Sequence, residues 1–352
     1  MSIVLPIEKP IITFIPRHAN KLSIVQTHSC FDDWLMNNYI FISINYDYTK
    51  INVEDYLNIY SSEIIDEFML TRDIICHGMD ILSSIIVLLH EKYYITIMID
   101  RFYLSAYNAK RHVNHPIFIY GYDDNAKMFY IADFFASGYY GTTRCSYAEL
   151  SLAIDRVLET KDESALYKYS KTLFYKEIEL INIYRVNYSA RSCYGEEALK
   201  RNLLAYCDRE FPNYPIQRND VYGLTTNKFS CNLNFYKILR NYITYNFETF
   251  GFVFHRPFYL IVSHKKLMLY RLQQIEKAQR ENEWEHTRSC LTNIVSKSEL
   301  ALNRVLKANI SKNKKLLSKI YDDLNFIEQL DEEAMALFVN LLDKKSSNRP
   351  LK

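Results

Sequence analysis

Three residues of this chain have the types and the order that nucleophilic acyl chemistry needs: Cys30, His115 and Asp133. Cys30 ends the run Thr27-His28-Ser29-Cys30 and precedes FDDWLMNNYIF, where Phe31, Trp34, Leu35 and Tyr39 recur at helical spacing. Ser29 is a good N-cap for that helix, and Asp32 and Asp33 fall in its first turn, where carboxylates suit the dipole. A cysteine at a helix N-terminus has its thiolate favoured, and the unpaired N–H groups beside it suit an acyl oxyanion. His115 in this arrangement takes up and returns protons. Asp133 fixes the orientation and tautomer of its ring.

Antiparallel geometry supplies the means of bringing the histidine to the aspartate. His115-Pro116-IFIYGY reads as a strand, Asp123-Asp124-Asn125-Ala126 as a turn, and Lys127-MFYIAD as a second strand. A turn centred near Asp124 and Asn125 sets His115 opposite the neighbourhood of Asp133 and Phe134. The adjacent pair Cys76-His77 is a poorer candidate, because sequence neighbours seldom face each other.

The elements around this hairpin define an α+β chain. Ile11 to Ile15 and Ser23 to Gln26 read as short extended runs, Asp80 to Glu91 as a helix, and Ile95 to Asp100 as a strand. Ser146-Tyr147-Ala148-Glu149 opens a helix through about Glu159, and Glu177 to Val186 reads as a closing strand. From Gly195 onward the texture is helical, including EEALKRNLLAYCDREF and the long segments between Leu233 and Asp343. The reading is a catalytic domain over residues 1–190 and a mainly α-helical domain over 191–352.

Composition narrows the class. The chain has 352 residues, 49% hydrophobic and 24% charged, ordinary for a folded protein and enough for two domains. A net charge of +2 excludes a surface given over to nucleic acid, and seven glycines argue against a glycine-rich phosphate loop. The seven cysteines include no CxxC pair, so no metal site is expected. The N-terminal run MSIVLPIEKPIITFIPRH lacks a basic start followed by an apolar stretch. The most apolar segment, Ile81 to Leu89, is well short of the roughly 20 residues that span a bilayer. The expected setting is the cytoplasm, with free thiols.

The stretch ITIMIDRFYLSAYNAKRHVNHPIFIYGYDDNAKMFYIADFF, with HSCFDDWL before it and YGEEALKRNLLAYCDRE after it, resembles the family typified by the N-terminal domain of the butirosin-pathway acyltransferase. The resemblance covers most of residues 23 to 210. It implies a papain-like, cysteine-protease-like fold, with an N-terminal helix packed on an antiparallel sheet. It also implies transfer of an acyl or peptidyl group from a carrier protein's phosphopantetheine thioester to an amine, which can be a diamine. Carried over, Cys30 is the acyl-accepting nucleophile, His115 the acid/base and Asp133 the orienting acid of a natural-product amide synthase. No other cofactor is implied; nucleic acid and membrane are not among the expected partners.

Four more positions are expected to line the substrate: Gln26, His28, Asp100 and Tyr103. Gln26 lies four residues before Cys30, where papain relatives often place an oxyanion-hole glutamine about six before. Lys312, Lys314 and Lys315 are expected to face the acidic carrier protein. A peptidase of the same fold and a binding module with a decayed site remain the alternatives.

Overall fold

A computed structural model describes residues 2–13, 15–47, 50–52, 56–57, 64–157, 180–191, 195–208, 229–278 and 284–347. They divide into two compact units, one holding residues 2–31, 64–157 and 180–191, the other holding the rest. Both α and β structure are present, and every strand pairing among the described residues is antiparallel. Among the described residues no helix is long and apolar enough to cross a membrane.

The first unit is built on a seven-stranded sheet with the order β5-β10-β6-β7-β8-β9 and β1 added to β7. These strands are β1 (Ser2–Val4), β5 (Ile65–Thr71), β6 (Tyr94–Asp100), β7 (Asn114–Asp123), β8 (Met128–Phe134), β9 (Tyr140–Ser146) and β10 (Leu180–Val186). Every residue of β6 is buried, which accounts for its unbroken YITIMID run. The expected β7–β8 hairpin is present. Asp123 closes its turn by accepting the N–H groups of Asn125 and Ala126 at 3.0 and 3.1 Å. A register shift between Ile119 and Gly121 lets β7 pass from one set of partners to the next. Gly121 is required there, since a Cβ would lie 2.6 Å from the Ile3 carbonyl oxygen.

The helices of this unit follow local capping chemistry where the sequence carried it. Asp80 caps α4 (Ile81–His90) through Ser83 N–H at 3.0 Å. Ser146 and Glu149 form a reciprocal capping box at the start of α5 (Tyr147–Asp155). The N-terminal segment departs from expectation. The run read as extended at Ser23 to Gln26 ends a helix, α1 (Pro16–Val25), which opens on Pro16 and buries Ala19, Leu22 and Val25. The short apolar runs on either side of Arg17-His18 concealed that helical period. The next helix, α2 (Phe31–Asn37), starts at Phe31, so Ser29 and Cys30 stand in the turn before it.

In the second unit, β2 (Phe41–Asp47) pairs with β3 (Lys50–Asn52), β4 (Tyr56–Leu57) and β11 (Phe229–Cys231). The short helix α3 (Arg72–Ile75) belongs to the first unit. Among the described residues, five longer helices belong to the second: α6 (Glu196–Cys207), α7 (Asn234–Phe250), α8 (Arg256–Ala278), α9 (Glu285–Ser311) and α10 (Lys315–Ser347).

Residues 32–47 therefore leave the N-terminal 1–190 block of the sequence reading. The cause lies on α8. The Arg271 guanidinium donates to the carbonyls of Leu35 at 3.1 Å and of Asn38, and His264 Nε2 bonds the Ile40 carbonyl at 2.7 Å. Tyr270 adds a hydrogen bond to Asp32 at 2.5 Å.

A closed polar cluster lies in the same core. Lys265 Nζ meets Asp331 Oδ2 at 2.5 Å and Tyr206 Oη at 2.8 Å, and Tyr206 and Tyr236 also donate to Asp331 at 2.7 and 3.1 Å. Burial pulls the Lys265 ammonium down from its ordinary range, and the neighbouring carboxylate opposes that pull. Asp331→Ala strands this cation in a dry interior, so a loss of about 3–5 kcal/mol is expected in urea unfolding. A loss below about 1 kcal/mol would show that the cluster is not holding the core.

Candidate active site

The hairpin register delivers His115 and Asp133 to one face of the sheet. Phe118 pairs with Ala132 and Ile119 with Ile131, so His115 and Asp133 stand as diagonal neighbours on the same side. His115 Nε2 lies 2.6 Å from Asp133 Oδ2, with the ring about one quarter exposed and the carboxylate fully buried. The contact lies off the ring's N–H axis, so it is a close polar contact rather than an aligned hydrogen bond. Because Nε2 faces the acid, Nδ1 is the ring atom left for a reacting group.

Tyr107 completes the cluster. It ends a 3-10 turn, Ser105–Tyr107, and donates its hydroxyl to the same Asp133 Oδ2. Its ring meets His115 edge-on at 5.9 Å and Phe135 at 5.2 Å. Burial, then the adjacent carboxylate, pushes the phenol well above its ordinary range and keeps it a donor. Asp133 Oδ1 is buried with no hydrogen-bond partner. Nothing in the sequence singled out Tyr107 from 30 tyrosines; only the turn after β6 brings it here.

Cys30 is not part of this cluster. His28 Nδ1 accepts the Cys30 N–H at 3.1 Å, and its Nε2 bonds the Asn187 carbonyl at 3.2 Å. Asn187 continues β10 beyond Tyr184, which pairs with Tyr94 at the start of β6, whereas His115 pairs with Ile99 near its end. At about 3.3 Å per residue these levels are roughly 26 Å apart along the sheet. Proton transfer needs contact within about 3 Å. The expected Cys30–His115 pair is thus absent, because helix α1 carries the chain away before Cys30 is reached. The Cys30 N–H is also occupied by His28, so it is not an open oxyanion donor. Nor does Cys145 replace it, since burial pushes that thiol up to about 12.

The residues expected to line the substrate have other tasks. Gln26 clamps the N-terminal segment, accepting the Ile11 N–H at 2.7 Å and donating to the Lys9 carbonyl at 2.9 Å. His28 is buried, spans Cys30 and Asn187, and stacks on Tyr188. Asp100 accepts the N–H groups of Phe102 and Val113 and meets His112 Nδ1 at 2.7 Å. Tyr103 packs edge-on against Phe102 and lies near the His112 ring. Asp100 and Tyr103 thus organise the loop from β6 to β7. The His112–Asp100 pair is a second histidine–carboxylate contact that the sequence reading did not make. Of the lysines assigned to docking, Lys312 donates to the Gly251 carbonyl at 2.7 Å and Lys314 lies 3.7 Å from Glu248.

No protein-family model matches this chain, and no curated protein matches it.

The separation has a direct chemical consequence. Alkylation of Cys30 by iodoacetamide, followed by peptide mass spectrometry, is expected to proceed at the same rate within about twofold in wild type and His115→Ala. A tenfold slowing in the variant would show that the imidazole activates this thiol after all.

Proposed function

We propose that the first unit is a papain-like, cysteine-protease-like fold whose His115–Asp133 pair is the general base of an amide-forming acyltransferase. The acyl group passes from a carrier-protein phosphopantetheine thioester directly to an amine. The observation that supports this reading is the half-open cluster itself, in which a buried carboxylate, held by the Tyr107 hydroxyl, stands against an imidazole that solvent reaches. In this reading the amine nitrogen attacks the thioester carbonyl carbon while His115 Nδ1 removes its proton. The tetrahedral intermediate then breaks its C–S bond, and the departing thiolate takes the proton back. Replacing a thioester by an amide runs downhill, which supplies the driving force.

Cys30 has no step in this mechanism. The same separation favours a second reading, a non-enzymatic binding module on this fold. One experiment decides between them. The protein is given an acyl N-acetylcysteamine thioester and a simple primary amine, and amide and free acid are followed by mass spectrometry beside an enzyme-free control. The expected result is amide formation retained within about twofold in Cys30→Ala and reduced about 10²–10⁴-fold in His115→Ala. A covalent acyl adduct present on wild type and lost in Cys30→Ala would return the nucleophile to Cys30. Free acid instead of amide would make the protein a hydrolase, and no rate above the control would leave the binding module.

A further inference from the structure

The second unit carries a group of side chains that acyl chemistry does not use. His286 and Cys290 are four residues apart on α9, so they project from one face of the helix. Glu333 comes from α10, which packs against α9. One ligand atom from each, the imidazole nitrogen, the sulfur and a carboxylate oxygen, all lie within 4.8 Å of one another. We infer that His286, Cys290 and Glu333 form a zinc site that joins the two helices.

The geometry is close to what the ion demands. Zinc bonds of about 2.0–2.3 Å at tetrahedral angles put ligand atoms roughly 3.3–3.8 Å apart. His286 Nε2 and Glu333 Oε1 are already 3.7 Å apart, and no two of the three ligand atoms are more than 4.8 Å apart. The backbones that carry these residues are fixed by apolar packing on both sides of the site. Thr287, Cys290, Leu291 and Ile294 of α9 are buried, as are Ala334, Met335 and Phe338 of α10, and Trp284 meets Phe338 edge-on.

The chemistry of the donors selects the metal class. A sulfur and an imidazole suit zinc and disfavour calcium or magnesium, which require oxygen ligands. The sulfur lies at the buried back of the site, with Cys290 only 5% exposed, while His286 and Glu333 reach it from solvent. An ion can therefore enter from outside, and the fourth position is open to water. Binding releases the thiol proton to solvent, and the thiolate and carboxylate together balance the two charges of the ion.

The test uses the whole chain, stripped with a chelator and titrated with zinc ion alone against a chromogenic competitor. One zinc per chain is expected, with a raised melting temperature. His286→Ala and Cys290→Ala should each weaken binding by more than the roughly 10–100-fold cost of losing an outer-shell partner. Cobalt ion should give a sulfur-to-metal charge-transfer band in wild type that Cys290→Ser lacks. Melting curves of the metal-free variants control for misfolding. No saturable binding by wild type, or equal affinity in wild type and folded variants, would overturn the site. So would a cobalt–sulfur band that survives Cys290→Ser.

Discussion

Strand register sets the terms for the first unit. A β-sheet advances about 3.3 Å per residue, and its hydrogen bonds hold each strand at one level against the next. Side chains at neighbouring levels meet, and those at opposite ends do not. The pairings of β6 with β7 and of β7 with β8 bring His115 to Asp133. The pairing of β10 with β6 places Asn187 at the other end, and His28 ties Cys30 to that end. The same ladder that makes the acid–base pair excludes the cysteine from it. A thiol needs contact with an imidazole, and no side-chain rotation spans this gap.

What the sequence revealed follows from how local each signal is. The β7–β8 hairpin was legible because Asp123 closes its turn with its own neighbours, so its type and position are encoded within a few residues. The register beyond Gly121 depends instead on the shift between Ile119 and Gly121. The caps at Asp80 and Ser146 were legible for the same reason. Helix α1 was not. Its buried residues need several turns to show a period, and Pro16 at its start reads equally well as a break. The allocation of residues 32–47 was hidden more deeply, since it depends on Arg271 and His264 at a sequence distance no local pattern spans. The cysteine was misassigned because its neighbours resemble a helix start, while its position in space depends on α1.

The two units also show how the fold tolerates buried charge. In α8, Lys265 and Arg271 are fully buried, which is affordable only where donors find oxygen at hydrogen-bond distance. Arg271 donates to the carbonyls of Leu35 and Asn38 at the end of a short helix, so its charge fastens the α2 region to α8. Lys265 is matched by Asp331 and two tyrosines. The desolvation cost takes back much of the Coulomb gain of these interactions, while removing one partner would leave the other charge buried and unpaired.

The two aspartate clusters differ in how far solvent reaches the aspartate's partner. Asp331 and Asp133 are both fully buried, both receive tyrosine hydroxyls, and each has one oxygen without a partner. An orphaned carboxylate oxygen is therefore not in itself a mark of function in this protein. The difference lies in the cation-forming partner. Lys265 is sealed with Asp331, so no reactant can reach either group. His115 stands at the start of its strand with about a quarter of its side chain exposed. Buried support behind an accessible imidazole is the arrangement that general-base chemistry requires, because orientation is fixed before the substrate arrives. Access, rather than the presence of a His–Asp contact, is what distinguishes His115 beside Asp133 from the sealed Lys265 beside Asp331.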